Sequence, residues 1–89
     1  MAVIIQAVGF ANGEHCPHAG MWLATFDHDA FEGRGFGTFT GVVERAMRFE
    51  DSIKALEFWR RQSTVNPIRQ DGKPNRPMTA LTVTIERIS

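Results

Sequence analysis

All three histidines and the single cysteine of this chain fall between positions 15 and 28. Glu14-His15-Cys16-Pro17-His18 forms one group, and Asp27-His28-Asp29 forms a second. Imidazole and thiolate are the ligands zinc prefers, and a thiol beside an imidazole is the raw material of a nucleophile. The spacing argues against both chemistries. A straight strand of about five residues between the groups holds them roughly 17 Å apart, so one metal reaches both only if the loop folds back. Zinc takes four ligands at about 2.0–2.3 Å, and C-x-H departs from the C-x₂₋₄-C…H-x₃₋₅-H pattern of closed zinc sites. Catalytic Cys–His pairs usually come from separate segments, whereas His15, Cys16 and His18 are neighbours in sequence. His15, Cys16, His18 and His28 remain candidate metal ligands, and a polar turn with ordinary surface histidines is the simpler reading.

Two further stretches suggest phosphate chemistry. Gly33-Arg34-Gly35-Phe36-Gly37 looks like a phosphate-cradling loop. The dinucleotide fingerprint needs a third glycine where Thr38 stands, a strand before it and a helix after it, and the P-loop lysine is missing. A glycine-rich turn accounts for it better. Arg60 and Arg61, with Arg69, Lys73 and Arg76 further on, make a candidate phosphate-contacting patch. Single-strand binding also needs aromatic platforms, and the nearby Phe58 and Trp59 are better used as core.

Composition narrows the choice. The chain has 89 residues, 43% of them hydrophobic, with seven Phe, two Trp and no Tyr. That is one folded domain, residues 1–89, with the aromatics expected as the bulk of its core. Ten basic and ten acidic residues cancel. Residues 1–43 lean acidic, with only Arg34 against Glu14, Asp27, Asp29 and Glu32, and residues 44–89 lean basic. Neither half has the excess of a DNA mimic or a dedicated duplex binder. One cysteine forms no internal disulfide, and the first apolar run is short, contains Gln6 and lacks a basic flank. It reads as neither a signal peptide nor a membrane span, so a cytoplasmic protein is expected.

Val3–Phe10 is the first predicted strand. Ile4, Val8 and Phe10 point one way, Val3, Ile5 and Ala7 the other, and Gly9 admits a bulge. Met21–Phe26 is the second, with Trp22, Ala24 and Phe26 on one face. Phe36–Thr40 is a short extended piece, Val42–Arg45 a brief helical turn, and Met47–Phe49 a short strand. A helix spans Asp51–Gln62, capped by Asp51, with Ile53, Ala55, Leu56 and Trp59 as its apolar face and Phe58 at the border. Glu57 and Arg61 form a favourable i, i+4 pair. Residues 63–78 form a long connection with three prolines and an Asp71-Gly72 turn. It is either a presented loop or, the favoured reading, a clamp on the last strand. Ala80–Ile88 alternates strictly, Leu81, Val83 and Ile85 against Thr82, Thr84 and Glu86.

The expected fold is therefore α+β: an antiparallel sheet of three or four strands, one main helix on one face, and the last strand paired with the first. Each of Leu81, Val83 and Ile85 is expected to lose about 2–4 kcal/mol on replacement by Ala.

Three stretches carry a resemblance across most of the chain: P-H-A-G-M-W-L-A-T-F-D at Pro17–Asp27, E-R-A-M-R-F-E-D-S-I-K-A-L-E-F-W at Glu44–Trp59, and D-G-K-P-N-R-P-M-T-A at Asp71–Ala80. In this order they resemble small bacteriophage- and prophage-encoded proteins. The resemblance implies no activity and hands over no catalytic residues. It points to an accessory protein acting in the bacterial cytoplasm. With no nucleophile–base pair and no cofactor loop, the leading expectation is a non-enzymatic protein-interaction module without a cofactor, binding a host or phage protein. The alternative is nucleic-acid binding through Arg60, Arg61, Arg69, Lys73 and Arg76, and a metal-dependent role at the histidine–cysteine cluster comes third. An open sheet edge would also allow a homodimer.

Overall fold

Strands from the two ends of the sequence lie side by side. The computed structural model describes residues 2–88, and shows a four-stranded antiparallel sheet in the order β3-β2-β1-β4. The strands are β1 (Ala2–Phe10), β2 (Trp22–Asp27), β3 (Phe36–Thr40) and β4 (Leu81–Ile88). A single turn, α1 (Ala30–Gly33), lies between β2 and β3, and the main helix is α2 (Ser52–Trp59). Short 3₁₀ turns occupy Val43–Arg45 and Pro77–Ala80. The fold is α+β, with the first and last strands paired from Ala2↔Ile88 to Phe10↔Leu81.

Two bulges reset the alternation that period-2 reasoning assumes. In β1 the partner of Ala7 is Val83 and that of Gly9 is Thr82, which leaves Val8 as the extra residue. Phe10 is thereby carried to the Leu81 side, away from the face expected for it with Ile4. In β2 the partners step from Leu23↔Phe39 to Thr25↔Thr38, so Ala24 is the extra residue. Leu23 and Phe26 both reach the core, and Trp22 turns to the opposite face, where its Nε1–H donates to Glu86 at 3.3 Å. Each bulge adds one residue against one partner, and every side chain beyond it changes face. The segment before α2 shows a single bridge instead of a strand. Phe49 exchanges two backbone hydrogen bonds with Val3, and the Met47 N–H donates to the Leu23 carbonyl.

The sequence reading of α2 needs two corrections. Asp51 caps it as expected, accepting from the Lys54 N–H at 2.9 Å, but the helix stops at Trp59 and not at Gln62. Its last turn is claimed by other partners. His28 Nε2–H donates to the Phe58 carbonyl, the Gln62 amide donates to the Pro67 carbonyl, and the Ser63 N–H donates to the Asn75 carbonyl. The buried face is also narrower than the apolar one. Ala55 is fully buried and Phe58 and Trp59 partly so, whereas Leu56 is exposed and Ile53 is 67% exposed. Ala55, Phe58 and Trp59 sit at i, i+3 and i+4, and that arc is all a four-stranded sheet covers.

Val3, Ile5, Leu23, Ala55 and Met78 form the central cluster, and the aromatics pack around it instead of filling it. An eight-residue helix leaves too little cover to enclose rings that large. β4 keeps its alternation, with Leu81 buried but Val83 and Ile85 only half-covered.

Candidate binding surfaces

The loop after α2 is pinned at its root by one carboxylate. Asp29 accepts from Ser63 Oγ at 2.9 Å, from Thr64 N–H and Oγ1 at 2.7 Å each, and from Val65 N–H at 3.4 Å. Asn75 closes the far side, its Nδ2 donating to the carbonyls of Gly33 at 2.7 Å and Asn66 at 2.8 Å. Arg69–Lys73 forms the expected turn, with Gly72 at φ +84° and Asp71 accepting from the Lys73 N–H. Met78 then enters the core and the Ala80 carbonyl accepts from the Ala11 N–H, so the base of the loop fixes the start of β4. The tip stays open, with Val65 and Ile68 exposed.

Those hydrogen bonds hold the Asp29 carboxyl down at about 2, the two from Thr64 contributing most. A folded value below the ordinary one means that the contribution is complete above about pH 4 and is lost as pH falls towards 2. The stability gap between the protein and its Asp29→Asn variant is therefore expected to be constant from neutral pH to about 4 and to shrink below it. Urea titrations across that range measure it, and an unchanged gap at the acid end would contradict the assignment.

The histidines and cysteine are dispersed. Cys16 is 1% exposed, His15 is exposed, and the His18 ring stacks on Phe39 with centroids 4.6 Å apart. His28 is 5% exposed, between the rings of Phe26 and Phe58, each 4.8 Å away. Among the described residues no three or more His, Cys, Asp or Glu side chains come together in a way that could hold a metal. His28 instead serves α2, satisfying a carbonyl of its last turn.

Burial pushes the His28 pKa below the ordinary value, helped by the Arg61 charge and opposed by the Phe58 carbonyl, Asp29 and Asp27. The unfolded chain then binds the proton more readily, so stability is full above about pH 6.5 and declines as pH falls. The urea midpoint is expected to drop between about pH 7.5 and 5.5, and a His28→Gln variant to be flat there. Equal slopes for both proteins would refute the account.

The five basic residues singled out from sequence are not brought to one place. Arg61 lies over the Phe58 ring, 5.0 Å from its centroid, and Arg60 terminates α2. Arg69 and Arg76 do converge, joined by Arg34 from the glycine-rich turn, along a cleft of about 470 Å³. Arg60, Arg61 and Lys73 do not line it. The glycine-rich turn is tightly packed: Gly33 (φ +89°) and Gly35 (φ +84°) press against the 63–77 segment. Sequence reasoning weighs Arg34 only as part of a glycine-rich turn and leaves it out of the basic patch, because it lies far in sequence from Arg69 and Arg76. Its two flanking glycines were the available signal.

β4 presents the other notable surface. Ala7 and Val3 direct their backbone groups away from β4, towards Met21, Gly20 and Phe49. Their partners Val83 and Arg87, and Ile85 between them, therefore direct N–H and C=O outward from the sheet. These groups have no partner among the described residues. Alongside runs an apolar cleft of about 420 Å³, lined by Leu56 and Trp59 of α2 and by Leu81, Val83 and Ile85. Trp59 Nε1–H donates to the Leu81 carbonyl at 3.1 Å and closes one end.

No described helix is long and apolar enough to cross a membrane. No family model matches the chain, and neither do curated proteins or solved structures.

Proposed function

We propose that this protein is a non-enzymatic interaction module that binds another protein by taking up an extended segment along β4. One observation carries the reading: an unpaired, unbulged edge strand bordered by an apolar cleft. The outward groups of Val83, Ile85 and Arg87 supply the hydrogen-bond ladder, and the cleft between α2 and β4 receives alternate side chains of the incoming segment. Natural edge strands are usually blunted by proline, a charge or a bulge. β4 carries no proline and no bulge, and its two charges, Glu86 and Arg87, lie together near its C-terminal end. Ile53, exposed one turn of α2 before Leu56, extends the apolar surface past the cleft. The resemblance to phage and prophage proteins makes a host or phage protein of the bacterial cytoplasm the partner to look for.

The test is affinity capture from bacterial lysate at physiological salt, run in parallel with Arg87→Pro and Leu56→Glu variants. Proline at 87 removes one outward N–H without touching the ladder to β1. A defined partner retained by the native chain and lost from both variants, with melting temperatures unchanged, is the expected result. No specific partner, or one retained equally by both variants, would overturn the proposal.

A further inference from the structure

We infer that the furrow centred on Arg34 is a binding site for single-stranded nucleic acid, independent of the β4 edge. Three adjoining clefts form it. Arg34, Arg69 and Asn75 line both the first, of about 480 Å³, and the second, of about 470 Å³. Arg34, Pro77 and Ala80 line both the second and the third, of about 260 Å³. Arg34 is the one residue common to all three, so the clefts adjoin at its side chain along one open channel.

The chemistry changes along the channel in a way that suits a nucleotide strand. One end is aromatic: Phe36 and Phe39, with the His18 ring stacked on Phe39. The middle is cationic, with Arg34, Arg69 and Arg76 arriving from two separate segments of the chain. The other end is polar, with Gln70 and the amides of Asn66 and Asn75. Glu32 and Asp71 also line that end, and Asp71 pairs with Arg69 at 3.1 Å. Among the described residues, Arg34 and Arg76 are the cations of the middle without an ion-pair partner. Phosphates are thereby drawn to the centre and kept from the acidic end, while bases have flat faces to rest on at the aromatic end.

An aromatic pair on the rim strengthens the case. Phe31 is 67% and Phe36 53% exposed, and their rings meet edge to face with centroids 5.9 Å apart. Phe31 (φ 53°) and Glu32 (φ 59°) both hold left-handed backbone conformations, which side-chain-bearing residues avoid. Two large apolar rings displayed in water beside a cationic channel, one of them on a strained turn, are costly unless something covers them. A nucleobase does, whereas a bare polyanion has no use for them.

Fluorescence anisotropy with a labelled oligothymidylate of about twelve nucleotides tests the site on the whole protein. Binding is expected at about 50 mM salt, with log affinity falling against log salt at a slope near −2, as about three phosphate contacts imply. Arg34→Gln together with Arg76→Gln should weaken binding at least tenfold and flatten that slope. Phe36→Ala should weaken it about tenfold with the slope unchanged. All three positions are exposed, so melting temperatures should hold. No anisotropy change at low salt would overturn the inference. So would equal affinity for a duplex of the same length, or for heparin, with Phe36→Ala neutral.

Discussion

Gly33→Ala is expected to destabilise the protein by about 2–5 kcal/mol. Gly33 holds φ +89°, a region an L side chain enters at a penalty of roughly 1–2 kcal/mol. The new Cβ would also lie 2.8 Å from Asn66 Cβ and Ser63 Oγ, and 3.0 Å from Asn75 Nδ2. None of the three can yield cheaply. Ser63 Oγ is bound to Asp29, Asn75 Nδ2 to the Gly33 and Asn66 carbonyls, and Asn66 Cβ is anchored close to the main chain. Gly41 is the control, because a Cβ there meets nothing within 4 Å. Chemical denaturation of Gly33→Ala beside Gly41→Ala measures the difference. Similar midpoints would mean that the turn and the 63–77 segment do not pack as described.

Met78→Ala is expected to lose about 2–5 kcal/mol, on the scale of Leu23→Ala and well beyond Val83→Ala or Ile85→Ala. Met78 is 0% exposed and sits among Val3, Ile5, Leu23 and Ala55. Its removal opens a cavity that the 3₁₀ turn around it, tied to Arg76 and Ala11, is poorly placed to fill. Val83 and Ile85 border an open cleft, so water already reaches the space their truncation would leave. The loss of about 2–4 kcal/mol expected from sequence at each of Leu81, Val83 and Ile85 is thus kept for buried Leu81 and lowered for the half-covered Val83 and Ile85. For a domain whose total stability is of order 5–15 kcal/mol, Met78→Ala removes a large share. Urea midpoints for the four variants give the ordering, and a smaller loss at Met78 than at Ile85 would reverse the account of the core.

The elements that reveal themselves in sequence are those governed by local periodicity. The alternation of Leu81, Val83 and Ile85 marks β4, and Asp51 marks the start of α2, because strand pleat and helix cap each act within a few residues. The bulges at Val8 and Ala24 escape that reasoning. One residue more or less in a strand leaves the composition unchanged while turning Phe10, Trp22 and Phe26 to other faces. The end of α2 escapes it too, since His28, Pro67 and Asn75 compete for its last turn from distant positions. Periodicity marks Ile53 and Leu56 as apolar but says nothing of how wide a sheet will lie beneath them, and the cleft beside β4 exists because that sheet is narrow. In sequence Asp29 stands out only as a neighbour of His28. Its grip on Ser63 and Thr64 spans more than thirty positions, and Arg34 joins Arg69 and Arg76 over a similar gap.

The adjacency of β1 and β4 bears on how the molecule is made. During translation, at about 5–20 residues per second, roughly 4–14 seconds separate the emergence of Phe10 from that of Leu81. Throughout that interval the strand destined for the middle of the sheet, with Ile4 and Ile5 on its opposite sides, lacks one of its two neighbours. Nascent chains stalled before residue 81 are thus expected to be the sticky species, prone to be held by chaperones or to clump, whereas released full-length chains can complete the sheet.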